Sequence, residues 1–183
     1  TRYTWDKKDP GFKNFSRMTA DEIADAAAKL YFDRYGYYGQ WSDPKWVTLS
    51  GGNPVMQLDD ELINAFLSRR LRVQVETQGT IYKSCMARCA RVVVSPKPPS
   101  SGLRSLPEGL VEAWVKLAPS RLSWKVVVFD RDDFDWAAKL YAWVGDHQPF
   151  YLQAGTPPID DYERALANED YDYSSDAAND LAI

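Results

Sequence analysis

Short apolar runs alternate with amphipathic stretches along most of the 183-residue chain. Thr19 followed by Glu22 is a capping-box signal, and 20–35 then reads as a helix with Ile23, Ala26, Ala27, Leu30 and Tyr31 on one face. Trp46–Leu49 predicts a first strand and 59–70 a helix burying Leu62, Ile63, Phe66 and Leu67. Arg72–Val75 and Arg91–Val94 predict the second and third strands, and 107–117 another helix. Trp124–Phe129 predicts a fourth strand, 132–144 a helix with Phe134, Ala137, Leu140, Tyr141 and Val144 inward, and Phe150–Gln153 a fifth strand. Continuous apolar strands alternating with helices predict a parallel sheet covered by helices, an α/β fold. An acidic helix follows Ile159, with poor order expected from about 169. The whole of 1–183 reads as a single domain without internal repeat.

Each strand ends in punctuation. Val47-Thr48-Leu49 runs into Ser50-Gly51-Gly52-Asn53-Pro54. The second strand delivers Glu76-Thr77-Gln78-Gly79-Thr80, the third Ser95-Pro96-Lys97-Pro98-Pro99, and the fifth Gln153-Ala154-Gly155-Thr156-Pro157-Pro158. Glycine permits φ > 0 and exposes bare backbone groups to a ligand, although a structural turn uses the same residues. One such loop leaves both readings open. A Glu, a Lys and two amides gathered at successive strand ends favour a ligand site there, because parallel α/β folds bind at the carboxyl ends of their strands.

Bulk properties narrow the class. A net charge of −4 argues against a broad nucleic-acid surface, and 45% apolar with 26% charged residues is ordinary globular composition. No run reaches the ~20 apolar residues of a membrane span, and two cysteines make no disulfide framework, so a reducing, cytoplasmic setting is expected. The 7 Trp and 11 Tyr favour aromatic-lined pockets or interfaces. Tyr31, Phe32, Tyr35, Tyr37 and Tyr38 form either a dimer surface or a lid or core edge. Cys85 and Cys89 read as two reduced thiols one helical turn apart, and His147 as a solvated residue on which no metal site can be built. Lys125 and Arg121 read as solvated charges, with reach to a carboxylate as the alternative. Asp130, Asp132, Asp133 and Asp135 read as N-terminal caps of a helix, with catalysis or metal binding as the alternative.

Three of these strand-end motifs, Thr48-Leu49-Ser50-Gly51-Gly52-Asn53-Pro54, Val75-Glu76-Thr77-Gln78-Gly79-Thr80 and Val94-Ser95-Pro96-Lys97-Pro98-Pro99-Ser100-Ser101-Gly102, together resemble the 7-carboxy-7-deazaguanine synthase family. The resemblance covers about residues 1–158, in order and spacing. It implies a partial (βα) barrel of the radical S-adenosylmethionine type with a [4Fe-4S] cluster, S-adenosylmethionine and magnesium. The implied reaction starts with cleavage of S-adenosylmethionine by the reduced cluster. The resulting radical takes a hydrogen from 6-carboxytetrahydropterin, whose ring contracts with loss of ammonia to 7-carboxy-7-deazaguanine in queuosine biosynthesis. It further implies a homodimer, a flavodoxin-like reductant and no direct contact with nucleic acid or membrane.

By position, the resemblance gives Ser50, Glu76 and Gln78 to the substrate. Gly51, Gly52, Asn53, Ser95, Lys97 and Gln153 go to S-adenosylmethionine, and Thr1 to magnesium. Many relatives carry Glu where this chain has Asn53, and an amide brings no negative charge to the cofactor's ammonium. The family's C-x-x-x-C-x-x-C loop would stand just before Thr1, and a last strand after the present end. The expectation is therefore a segment of a longer enzyme, inactive by itself. Two other readings stay open: a different radical S-adenosylmethionine enzyme of the activase type, and a cluster-less domain that binds a pterin or nucleoside.

Overall fold

The computed structural model describes residues 18–35, 45–103, 108–117, 120–145 and 148–156. The chain divides after Gln153 into two compact units, and the first holds nearly all of the described residues. Its elements run α1 (Ala20–Tyr35), β1 (Lys45–Leu49), α2 (Asp60–Ser68), β2 (Leu71–Thr77), β3 (Arg91–Val94), α3 (Glu108–Val115), β4 (Leu122–Val128), α4 (Arg131–Val144) and β5 (Phe150–Ala154). The five strands form one parallel sheet in sequential order, β1 to β5. Registers such as Leu49 opposite Val75, Glu76 opposite Val93, and Val93 opposite Ser123 fix the rows across it.

Burial alternates along β2 and β4: Leu71, Val73, Val75 and Thr77, then Leu122, Trp124 and Val126, are buried, while the residues between them are not. The buried row packs with Ile63 and Phe66 of α2, Val111 and Trp114 of α3, and Ala137, Leu140 and Val144 of α4 in one core. Burying side chains of this size contributes roughly 1.5–3 kcal/mol each. A sheet in strict sequential order with its helices on one side is an arc of a (βα) barrel, as expected. One correction concerns the strands: they read as apolar on both faces, whereas the second face carries Gln74, Glu76, Ser123 and Lys125, because that face is the inside of the arc.

Between β2 and β3 stands no α-helix but a 3₁₀ turn, Ser84–Arg88. Cys85, Met86 and Cys89 plug the core there, and both thiols are free. Burial pushes the Cys89 thiol up to about 12 and also raises that of Cys85, so both are protonated apolar fillers.

The helix signals act as read. Thr19 and Glu22 exchange hydrogen bonds at the start of α1 (Thr19 N–H to Glu22 Oε2, 2.7 Å; Glu22 N–H to Thr19 Oγ1, 3.3 Å). Asp59 accepts from Leu62 N–H at 2.8 Å to cap α2, and Asp130 accepts from Asp133 N–H at 2.8 Å to cap α4. The inward face of α1 differs from the expected one. Ala24 is buried and Ile23, Ala27 and Ala28 pack beside it, whereas Ala26 is exposed and Leu30 is 72% exposed. Small residues let α1 lie close to α2, and Arg69 bridges Asp21 (3.0 Å) and Asp25 (2.6 Å) across the pair. Leu67 and Tyr141 are likewise more exposed than their periodicity suggests. No helix among the described residues is long and apolar enough to cross a membrane.

Candidate functional site

Eight of the residues singled out at the strand ends line one cavity of about 240 Å³: Ser50, Gly51, Gly52, Glu76, Gln78, Ser95, Lys97 and Gln153. They come from β1, β2, β3 and β5, far apart in sequence and adjacent only because the strands are parallel. β2 runs two residues further than its apolar pattern predicts, to Thr77. Glu76 therefore stands within a strand, on the inner face of the arc, and not on a loose loop. Ser50 Oγ donates to Glu76 Oε2 at 3.5 Å across the β1–β2 ends. Gly51 has φ of +103°, a conformation that L side chains rarely adopt, and a Cβ there would meet nothing within 4 Å. The loop thus leaves open space on the side where a side chain would otherwise stand.

Asn53 is placed differently. It is buried and does not line the cavity. Its Oδ1 accepts from Thr77 Oγ1 at 2.9 Å and its Nδ2 donates to Thr80 Oγ1 at 3.2 Å. Thr77 Oγ1 in turn accepts from Gly79 N–H at 3.1 Å. The amide uses both ends to tie the glycine loop of β1 to the turn after β2. Asn53, expected at the cofactor, here fastens two loops, a job for which a neutral group with donor and acceptor is suited.

Other bonds hold the remaining strand ends. Trp114, fully buried, donates its indole N–H to Gly79 C=O at 2.9 Å and stands edge-on to Tyr82 with ring centroids 5.0 Å apart. Lys83 Nζ donates to the carbonyls of Met56 (3.1 Å) and Leu58 (2.8 Å), behind Pro54. The Ser95–Ser101 loop is fastened by Asp133. This carboxylate, with no exposed surface, accepts from Ser100 Oγ (2.6 Å), Ser100 N–H (3.0 Å) and Phe129 N–H (3.0 Å). Burial pushes its pKa up, but these donors more than offset that and hold it below the usual carboxylate value. Asp133 thus joins two strand-end loops, a role beyond helix capping. Asp135 pairs with Arg131 at 3.1 Å.

Lys125 departs from the favoured solvated reading and agrees with the alternative. It is half-buried on the inner face of β4 and lines the same cavity, with Thr77 and Val127 completing the wall. Arg121, by contrast, donates to Ala87 C=O at 2.7 Å. Lower on the inner face, Trp46 of β1 lies under the guanidinium groups of Arg72 (5.8 Å) and Arg91 (4.7 Å), a stack that the sequence pattern does not mark. Tyr31 Oη accepts from Trp46 N–H at 3.3 Å, and Phe32 is exposed.

A larger depression of about 460 Å³ lies between α1 and α2, lined by Ala20, Asp21, Glu61, Asn64, Ala65 and Ser68. It is helix surface with Asp21 already engaged by Arg69, and no strand end reaches it. The residues marked in the sequence line the smaller cavity, whose two lysines, one carboxylate, amides, hydroxyl groups and open glycine backbone suit a charged, hydrogen-bonding ligand.

Among the described residues, no group of three His, Cys, Asp or Glu could hold a metal ion. The buried thiols of Cys85 and Cys89 do not suit a cluster either, and neither the cluster nor magnesium is assigned to the described residues. Thr1, Tyr37, Tyr38, His147, Pro157, Pro158 and the acidic stretch after Ile159 lie outside the described residues.

No protein-family model matches the chain. Curated proteins do. A 7-carboxy-7-deazaguanine synthase of Bacillus cereus is 32% identical over 165 residues, covering 87% of this chain and 63% of that protein. One of Bacillus subtilis is 31% identical over 166 residues, covering 86% and 62%. One of Bradyrhizobium diazoefficiens is 39% identical over 66 residues, covering 34% and 27%. The chain thus spans somewhat under two thirds of the length of the first two relatives. Their shared name is the one that the strand-end motifs suggest.

Proposed function

Starting from a chain that is related to the 7-carboxy-7-deazaguanine synthases across most of its length, we propose that it takes part in the same synthesis. In this proposal 6-carboxy-5,6,7,8-tetrahydropterin becomes 7-carboxy-7-deazaguanine with loss of ammonia, a carbon–nitrogen lyase reaction of the radical S-adenosylmethionine type within 7-deazapurine biosynthesis. The observation that carries it is the convergence of eight motif residues from four strand ends on one cavity. Homologous sequence with those residues scattered would support much less.

Each residue has a job suited to its chemistry. Glu76, braced by Ser50, offers two carboxylate oxygens to the N–H edge of a pterin, and Gln78 offers an amide beside it. Gly51 and Gly52 let backbone groups approach the amino-acid end of S-adenosylmethionine, with Ser95, Lys97 and Gln153 around it. When bound, S-adenosylmethionine supplies the means of hydrogen-atom abstraction, and the residues of this chain bind and orient. The parallel strand ends, fastened by Asn53, Trp114 and Asp133, keep the two ligands in fixed register, which is where proximity contributes most. The proposal also includes a [4Fe-4S] cluster, magnesium, a flavodoxin-like reductant, a homodimer and a cytoplasmic setting.

The test is turnover. The longer protein that the resemblance implies, with its cluster loop, treated anaerobically with iron and sulfide and then given reductant, S-adenosylmethionine, magnesium and 6-carboxytetrahydropterin, should form 7-carboxy-7-deazaguanine detectable by mass spectrometry. Glu76→Ala should abolish it. 5′-Deoxyadenosine without that product would retain the radical chemistry and replace the substrate. Neither product, from protein with an intact cluster, would favour a binding domain without chemistry.

A further inference from the structure

We propose that Lys125 binds a carboxylate of the ligand held in the strand-end cavity, a role that the motifs give to none of β4's residues. The inference rests on the reading of that cavity as the site for S-adenosylmethionine and a carboxylated pterin.

β4 contributes no Gly/Pro-marked motif, yet it passes through the middle of the site. Leu122, Trp124 and Val126 point into the core, so Ser123, Lys125 and Val127 take the opposite face. Glu76, Val93 and Ser123 stand in one row across β2, β3 and β4. The last paired row is Thr77, Val94 and Trp124, and Gln78, Ser95 and Lys125 each stand one residue beyond it. The lysine therefore lies at the level where β2 and β3 end, and it lines the same cavity as Gln78 and Ser95.

The charge balance of the cavity points the same way. Its lining carries two ammonium groups, Lys97 and Lys125, against one carboxylate, Glu76. Neither lysine forms an ion pair with a described carboxylate, and Asp133, the nearest buried acid in sequence, is occupied by Ser100 and Phe129. The excess of one positive charge in the lining gives an anionic ligand group a counter-charge to meet. Both proposed ligands carry a carboxylate, and a lysine holds one as a point charge without demanding a bidentate approach. S-Adenosylmethionine and the pterin are thus the two sources of the same chemistry.

Paired ligands separate them. We would measure affinities of wild type and Lys125→Met for S-adenosylhomocysteine against 5′-methylthioadenosine, and for 6-carboxypterin against pterin. Methionine keeps the volume and removes the charge; Lys125→Gln serves in its place if the methionine variant lacks the wild-type circular dichroism. The expected result is a loss of about tenfold or more in the preference for the carboxylated member of one pair, with Lys125→Arg keeping most of it. A loss in the first pair assigns the carboxylate to the cofactor, and in the second to the substrate. A folded variant that keeps both preferences overturns the proposal and leaves Lys125 as a neutraliser of Glu76. Wild type that binds neither pair overturns the functional reading and this proposal together.

Discussion

Asp133 offers the sharpest stability prediction, because one buried carboxylate fastens the Ser95–Ser101 loop to the end of β4. Asp133→Ala removes three hydrogen bonds, of 2.6, 3.0 and 3.0 Å, from a group with no exposed surface. Hydrogen bonds to a charged acceptor contribute about 1.5–3 kcal/mol each, without simple additivity. Ser100 and Phe129 are themselves exposed residues, so water recovers part of what their donors lose. The expected cost is about 3 kcal/mol, well below the sum of the three. For a chain of this size that corresponds to a fall of roughly 6–12 °C in Tm, read by calorimetry or circular dichroism. Asp133→Asn should cost less, because its oxygen still accepts from Ser100 while its NH₂ faces the Phe129 N–H. The sign of the pH effect follows from a native pKa below the ordinary 3.8. The carboxylate's contribution is fully present above the unfolded-chain value and is lost as pH falls through the lower native one. The gap in stability between wild type and Asp133→Asn should therefore be constant at neutral pH and close in acid. A Tm shift under about 2 °C for Asp133→Ala, or a gap that persists in strong acid, would refute the reasoning.

Other outcomes rest on the same contacts. Asn53→Ala strands the Thr77 and Thr80 hydroxyl groups and should cost about 1–3 kcal/mol, with a matching drop in the urea midpoint at unchanged m-value. Trp114→Phe keeps an aromatic ring but frees the Gly79 carbonyl. It should cost about 1–2 kcal/mol, and Gly79 and Thr80 amides should exchange faster with deuterium. Gly51→Ala meets no atom but forces an L residue to φ +103°, so Tm should fall by only a few degrees while ligand affinity falls more. The buried thiols should resist iodoacetamide in the native state. The raised thiol of Cys89 makes stability decline as pH rises from the unfolded-chain value of 9.0 toward about 12, a decline that Cys89→Ala should lessen.

Much of this molecule is legible in the sequence because backbone needs and side-chain needs coincide at strand ends. Gly51, Gly52 and Pro54 mark where β1 stops, and Pro96 and Pro98 do the same after β3. A parallel sheet then gathers the polar residues beside them. The helix starts marked by Thr19 and by the Asp130 group are legible in the same way.

What escapes the sequence has physical causes. Lys125 stands inside the run Trp124-Lys125-Val126-Val127-Val128, where a long aliphatic stem interrupts nothing in an apolar pattern. Only the register reveals which face it takes. Asn53 sits among loop residues that look ligand-directed, and its engagement by Thr77 and Thr80 depends on two segments meeting in space. Asp133 has the sequence position of a helix-start acid, yet the decisive partner, Ser100, is 33 residues away. The inward face of α1 is ambiguous in the sequence because alanines fit either side until the position of α2 is known. The Arg72–Trp46–Arg91 stack joins three strands and leaves no periodic trace.

The central claim is that the ends of β1, β2, β3 and β5, with Lys125 of β4, form one ligand site. Hydrogen–deuterium exchange with and without S-adenosylmethionine tests it most directly. The account predicts slowed exchange in peptides covering Ser50–Gly52, Glu76–Gln78, Ser95–Lys97, Lys125–Val127 and Gln153, and none in the outer surface of α1 and α2. Protection confined to the α1–α2 depression, or absent from the strand ends at saturating ligand, would contradict it.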